Sequence, residues 1–585
     1  MGHWRGKLAG LWPVVFLVVT LWLVRYLRSA EFGLYEDDLT HIPTAVQMSG
    51  SELVSFTIGL FRNLSGQGTP LKLALWYTLA HLGWSLAGLR GLYMLGFVVI
   101  AVNLSLFYLL MREVSDQAFA ICATLAYVLY SADTTQAFLS HSFILQTSIT
   151  MLLLALLFFR RGWRSLSYGL MVLALLTYET TFTVFLAAPL LLVPWDKVWR
   201  KGALRHALLC GLIFAAVVLV RFAVGENRVG GLALRDAVLL PITHMIAGPL
   251  VALGTYAYRP VQALQSMRVD VLLASVFGGL CFTWLLWRVR PGFQATVEDL
   301  KAVPSRRTAG WDVPAGERTV RTRFGADLVS RLRLAMVGLV MLVLAYPLTF
   351  TVRPYAISGR DTRVHAAGVV GASMVVGSAI VIVIALAEGY RRKTWAVPAL
   401  GIAMGILAGY GFVIQNDYAA AWSLQRGFWS QLIPLIPDVG EGTVVLVDPS
   451  GLQDTRQIGA NYWNLPRVLT QLFLFPSTWE AKPRVYRLAE GWQERISTDG
   501  GKLRLDEATT LAPPGTYAVV DPSRVIFVRY RDGLLGRVSG EFPPGVGTPL
   551  PPPPREGEPP FPHGFLYDLM VLPAEGEPGA GASAN

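Results

Sequence analysis

Apolar runs long enough to cross a bilayer recur through the first 415 residues, separated by short stretches rich in arginine and lysine. The first, LWPVVFLVVTLWLV, covers 11–24. Others lie near 91–111, 117–131, 137–159, 203–224, 271–289, 334–351, 364–388 and 396–415. Each predicts a spanning helix. Segment 70–89 predicts a helix lying on, or dipping into, the outer face, where His81, Trp76, Tyr77 and Trp84 suit an interface. Segment 166–193 has basic stretches on both sides and is 28 residues long. Two full spans need about 40 residues, so it predicts two short helices meeting near TYETT (177–181). An apolar piece at 238–257 predicts a further segment resting at the interface.

Basic loops set the direction of the threading. Arg5 and Lys7 precede the first run, and RRGWR (160–164), KVWRKGALR (197–205) and RRK (391–393) lie between later ones. The stretch 288–333 holds ten Lys and Arg against five Asp and Glu. Placing all of these in the cytoplasm puts the N-terminus inside and residues 30–90 and the C-terminal part outside. It gives about ten or eleven crossings, within a range of about 10–12 transmembrane segments. Arg25 and Arg28 follow the first run and no small-residue cleavage site does. That favours an uncleaved span over a signal peptide.

After residue 416 the texture changes. GTVVLVD (442–448), RVYRL (484–488), TYAVVD (516–521) and RVIFVRY (524–530) read as short strands, with DPSR (521–524) as a turn. The expected organisation is a transmembrane domain over 1–415, with a cytoplasmic loop at 290–333. A small extracytoplasmic α/β domain follows over 416–548, then a Pro-rich linker and disordered tail over 549–585. PLPPPP (549–554) favours an extended polyproline form.

Composition agrees: 53% of residues are apolar and 15% charged, against about 25% charged in a soluble domain. The net charge of +11 is explained by basic cytoplasmic loops and calls for no nucleic-acid partner. Cys122, Cys210 and Cys281 sit in apolar segments and form no disulfide framework. No nucleotide-binding glycine loop is present.

Three carboxylates stand together in GLYEDDLTHIP (33–43): Glu36, Asp37 and Asp38. Two readings fit. Asp37 or Asp38 caps a helix beginning at Leu39. Alternatively, the cluster supplies a general base or holds a divalent cation, Mg or Mn, through Asp37 and Asp38. Glu179, in LLTYETTF, is an ionisable group in an apolar zone. It serves either as structural glue or as a wall of an outer cavity. Arg353, Arg360 and Arg363 in RPYAISGRDTR (353–363), with Arg221 and Arg228, are expected at the outer face. There they suit either a phosphate ligand or lipid headgroups. His81 and His141 are expected near the outer surface as hydrogen-bonding groups.

The order of these parts resembles the GT-C superfamily of membrane glycosyltransferases, in the branch of protein O-mannosyltransferases and lipid A aminoarabinose transferases. One span is followed by YEDD, a Pro-bearing loop (GQGTPLK, 66–72) and HLGWSLAGLRGLYML (81–95), then a tight helix pair and a broken pair. Gly83, Leu89 and Arg90, or Gly88 and Arg90, stand where that family has a Gly and an Arg ahead of the second span. The resemblance covers about 10–225 by motif and 330–415 by architecture. It implies a bacterial multi-pass cell-membrane enzyme that moves a sugar from a polyprenyl-phosphate carrier to a lipid, glycan or protein acceptor. Asp37, Asp38 or Glu36 would be catalytic. Glu179, His81 and the arginines would bind substrate. The rival is a transporter, flippase or envelope-assembly scaffold. Transporters often carry paired broken helices, and only one broken pair is predicted here.

Overall fold

The computed structural model describes residues 12–192, 195–224, 234–289, 315–349, 352–389, 395–459, 465–499, 502–511, 516–531, 533–538, 540–541, 549–550 and 557–571. Two compact units divide the chain: Met1–Ala30 with Ser51–Asn416, and Glu31–Gly50 with Asp417–Asn585. The break at 416 is where the sequence changes texture. Residues 31–50, the acidic loop, group with the C-terminal part.

The first unit is helical. Among the described residues, eight helices are long and apolar enough to cross a membrane: Trp12–Glu31, Pro70–Val114, His141–Arg160, Lys197–Ala223, Leu239–Gln265, Val269–Val289, Arg360–Ala387 and Ala396–Leu435. That is fewer than the about ten or eleven expected. The segment read as a span at 117–131 is a helix of only 12 residues, Gln117–Val128, buried on almost every side. The helix meant to cross at 334–351 ends at Leu344. The piece at 238–257 belongs to a 32-residue helix, Leu234–Gln265, which holds one of the eight candidates.

Two interruptions of the helices fall where the sequence changes character. Segment 70–111 is one 45-residue helix, Pro70–Val114, broken at Ala87 and Gly88, where Gly88 takes φ +57°. The arms fold back on each other there: a Cβ on Gly91 would lie 2.1 Å from the Gly83 carbonyl oxygen. Segment 166–193 is a broken pair, Arg164–Leu175 and Thr180–Phe185, followed by a 3-10 turn at Ala188–Leu191. Arg160 Nη1 donates to the Leu191 carbonyl at 2.9 Å, so the chain leaves and returns at one level.

The unit has two recognisable ends. At one, Arg331 pairs with Asp116, which caps Gln117–Val128 by accepting from Phe119 N at 2.8 Å. Arg333 donates to the Leu192 carbonyl at 3.0 Å, and Arg161 pairs with Glu113 at 2.5 Å. At the other, Arg25 donates to the Tyr130 carbonyl, and Tyr130 donates to the His365 carbonyl at 2.7 Å. Leu234–Gln265 touches this second end along much of its length: His244 meets Thr349 at 2.9 Å and Arg259 reaches the Ser131 carbonyl at 3.3 Å. Between the ends, small residues let helices approach. Gly401, Gly405 and Gly409 face Thr283, Gly279 and Ser275, where a Cβ on Gly405 would lie 2.2 Å from the Gly279 nitrogen.

In the second unit, β1 (Val444–Asp448), β2 (Arg484–Leu488), β3 (Thr510–Leu511), β4 (Val525–Arg531) and β5 (Leu534–Arg537) form a sheet ordered β3-β2-β1-β4-β5. β1 runs parallel to β2 and β4. The buried run VVLVD of β1 fits a central strand covered on both faces. A second sheet, of Ser497–Asp499, Lys502–Leu505 and Ala518–Val520, shares a core with it through Tyr486, Trp492, Leu503 and Phe527. Residues 557–571 carry a short helix, Tyr567–Met570, and His563 stacks on Tyr567 at 3.5 Å.

Candidate functional site

The loop after Gln117–Val128 reads YSADTTQAFLSHS (130–142) and is buried throughout. Its polar groups have to be answered inside the protein. Asp133 is fully buried. Its Oδ1 accepts from Thr135 N at 2.9 Å and from Thr135 Oγ1 at 2.8 Å. His141 Nδ1 lies 2.8 Å from Thr135 Oγ1 and 3.2 Å from the Thr135 carbonyl. Thr135 has given its only hydroxyl proton to Asp133, and a carbonyl only accepts. His141 therefore donates through Nδ1–H. The order is His141 to Thr135 to Asp133. His141 opens a π-helical turn, His141–Leu145, that leads into Gln146–Arg160. A turn of this kind often marks a functional position. His141 is buried in this chain of bonds.

Asp133 Oδ2 has no hydrogen-bond partner among the described residues. Burial pushes the Asp133 carboxyl up to about 6, against the pull of the Thr135 bonds and of the Arg25 and Arg363 charges. Arg363 lies on the 3-10 helix Arg360–Gly368. Two bonds join that helix to the Asp133 loop: Thr134 N donates to Thr362 Oγ1 at 3.1 Å, and the two threonine hydroxyls lie 3.0 Å apart. Arg363 is half-buried, and its Nε has no hydrogen-bond partner among the described residues. Arg259, fully buried, donates to the Ser131 and Ile357 carbonyls and to Gln262. It thereby ties the two loops together. Buried or half-buried arginines thus outnumber the one buried carboxylate here, among the described residues. The imbalance favours an anionic ligand.

The other expected site residues fall as follows. Glu179 and Arg221 come together, Oε2 to Nη2 at 3.4 Å, both partly buried. The pair ties the broken helices to Lys197–Ala223. Thr180–Phe185, next to Glu179, packs on Arg360–Gly368. Arg360 is half-buried on that 3-10 helix and Arg353 is exposed. His81 is half-buried on the first arm of Pro70–Val114. Arg228 lies outside the described residues.

Glu36, Asp37 and Asp38 belong to the second unit. A helix starts here, Asp38–Gln47, with Asp37 at its N-cap, but Asp37 makes no side-chain cap bond. The capping reading is therefore not realised. Glu36 and Asp38 are buried, and Glu36 takes φ +53°. A non-glycine residue there costs about 1 kcal/mol. Tyr35 braces the turn: its hydroxyl donates to the Tyr418 carbonyl at 2.7 Å and accepts from Gly33 N at 3.1 Å. Gly33 is required there, since a Cβ would lie 1.8 Å from Trp422 Cδ2. Burial pushes the Tyr35 hydroxyl well up from its ordinary range, and the Asp38 charge adds to this. Among the described residues, no three His, Cys, Asp or Glu side chains gather as a metal-ligand set.

Sequence reasoning missed Asp133, Arg25 and Arg259. Asp133 is a lone acid in a polar stretch between two apolar runs, a pattern that by itself reads as a loop.

No family model matches the chain, nor does any curated protein or solved structure.

Proposed function

We propose that the chain is a membrane glycosyltransferase of GT-C-like architecture that uses a sugar carried on a polyprenyl phosphate. The observation that carries this reading is the cationic end of the first unit. Arg363 brings an Nε with no hydrogen-bond partner among the described residues to a buried loop whose carbonyls also engage Arg25 and Arg259. A guanidinium placed so is suited to a phosphate, which its planar fork binds through two oxygens. The broken helix Pro70–Val114 and the broken pair near Glu179 follow the order expected from the resemblance.

The opposite end carries Arg160, Arg161, Arg164, Arg331 and Arg333, which suits the cytoplasmic side. The Asp133 end then faces outward, toward the leaflet where the donor is used. In the reaction, the bond from the anomeric carbon to the phosphate oxygen breaks and its electron pair leaves with the phosphate. An acceptor hydroxyl on a lipid, glycan or protein forms the new bond and gives its proton to a general base, the role that the resemblance implies for Asp37 or Asp38. Arg363 stabilises the charge growing on the leaving phosphate.

The test is consumption of radiolabelled polyprenyl-phosphate sugars by the full-length protein in proteoliposomes. Wild type is expected to release polyprenyl phosphate. Arg363→Gln should slow release, and loss of the general base in Asp37→Asn or Asp38→Asn should slow transfer by about 10²–10⁴. Movement of the lipid between leaflets with no loss of sugar would overturn the reading in favour of a flippase.

A further inference from the structure

We propose that Asp133 reads the sugar of the donor: its unpartnered carboxylate oxygen accepts a hydrogen bond from a hydroxyl of the sugar whose phosphate Arg363 holds. The inference rests on the phosphate reading above and adds to it a residue that selects for the glycosylated carrier.

The geometry leaves few other uses for that oxygen. Both Thr135 donors are committed to Oδ1. The bond from His141 fixes the Thr135 hydroxyl in that direction. Thr135 therefore has no donor left for Oδ2. Arg25 and Arg363 are near enough for their charges to act on the carboxyl, yet among the described residues neither makes an ion pair with it. Such a pair would have answered Asp133 Oδ2 and Arg363 Nε at once. Instead a buried acceptor and a half-buried guanidinium with donor capacity left over belong to two loops that Thr134 and Thr362 pin together.

A ligand that answers both needs a donor at one place and an anion at another. A glycosyl phosphate has that pattern, with ring hydroxyls beside phosphate oxygens. A bare phosphate answers only the arginine. A hydroxyl bonded to an ionised, water-excluded carboxylate makes a strong, charge-assisted contact. Loss of such a contact is typically about 10- to 100-fold in affinity.

The experiment measures binding to the full-length protein in nanodiscs. The probes are farnesyl phosphate, the same lipid carrying a hexose or a pentose on the phosphate, and inorganic phosphate. Wild type is expected to prefer a sugar-bearing probe over farnesyl phosphate, and inorganic phosphate at equal concentration should not displace it. Asp133→Ala should weaken the sugar-bearing probe by about 10- to 100-fold and leave farnesyl phosphate unchanged. Asp133→Asn keeps both Thr135 bonds and presents an N–H in place of the charged acceptor, so it should fall between and guards against a folding loss. Arg363→Gln should weaken both lipid probes. Equal effects of Asp133→Ala on both lipids, or none on either, would overturn the proposal and leave Asp133 a fold residue or a water ligand. Wild type binding both lipids equally would overturn it while the phosphate reading stands. Displacement by inorganic phosphate would mark the site as one for a free anion. Binding of neither lipid would bring down both readings.

Discussion

Asp133→Asn should make the protein more stable at neutral and alkaline pH, because the wild-type carboxyl is ionised there at a cost. The shift from 3.8 to about 6 corresponds to about 3 kcal/mol between the neutral and charged forms. Its direction fixes the sign. A carboxyl that holds its proton more tightly when folded contributes stability that is complete below its unfolded value and is lost as pH rises through its folded value. Wild type should therefore lose about 3 kcal/mol across the window from about pH 4 to about pH 7. Asn at 133 stays neutral throughout. Its side-chain oxygen keeps the two Thr135 bonds, so the variant should not share that loss.

The groups that bear on this window are Arg25 on the first helix, Arg363 on the 3-10 helix, and His141 acting through Thr135. His141 lies one bond removed. The assay is denaturant unfolding of wild type and Asp133→Asn in mixed micelles, at several pH values between about 4.5 and 8. The quantity read is the change with pH of the difference between the two proteins, which cancels titrations they share. A difference that does not change with pH would refute the reasoning, as would a variant less stable than wild type at about pH 8. Greater stability with loss of sugar binding would be the trade expected of a ligand-directed charge.

Gly405→Leu should lower the thermal unfolding midpoint or prevent folding, because a side chain there meets the Gly279 backbone; overpacking of this kind costs about 1–3 kcal/mol or more. An unchanged midpoint would refute the close packing. In the second unit, burial resists ionisation of Asp448, but the Ser450 bonds and the Arg529 guanidinium at 2.6 Å outweigh it and hold the carboxyl below its ordinary value. That stability is present above the ordinary carboxylate value and is lost as pH falls through the depressed one. Protection from hydrogen exchange in Val444–Asp448 and Val525–Arg531, taken relative to the intrinsic rate at each pH, should therefore fall in acid in wild type and change less in Asp448→Asn. Equal acid responses in the two would count against the pair. For sidedness, Gly310→Cys should be labelled from the cytoplasm and Ser450→Cys from outside. Labelling of both from one side would overturn the orientation.

Parts of this fold could be read from the sequence because one property at a time decides them. The break at Ala87 and Gly88 falls between the two segments, 70–89 and 91–111, that the parity of the basic loops keeps apart. The broken pair at 164–191 follows from length against bilayer thickness, with basic stretches on both sides. The strands of the second unit follow from short runs of β-branched residues bounded by turns. Where burial by neighbours decides, the sequence misled. Gln117–Val128 reads as part of a span because it is apolar, yet its 12 residues are apolar because other helices surround them. Ala315–Leu344 ends before the predicted crossing is complete.

The candidate site divides along the same line. Arg363 stood out because an arginine at the end of an apolar run is conspicuous on any window. Asp133 did not, because a single acid between two apolar runs reads as a loop residue facing water. It takes three segments to make it a buried acid. The His141 turn orders Thr135, Arg360–Gly368 brings Thr362 and Arg363, and Leu234–Gln265 brings Arg259. They come from positions up to 230 residues away. Each choice is reasonable on its own: a threonine in a loop, an arginine near a helix end, a histidine opening a helix. Only their closure over Asp133 removes water from the carboxyl and leaves one of its oxygens unanswered. An acid with both oxygens answered would be explained by the fold alone. The unanswered oxygen beside a guanidinium with unspent donors is what separates a ligand's place from a structural bond, and it exists only in three dimensions.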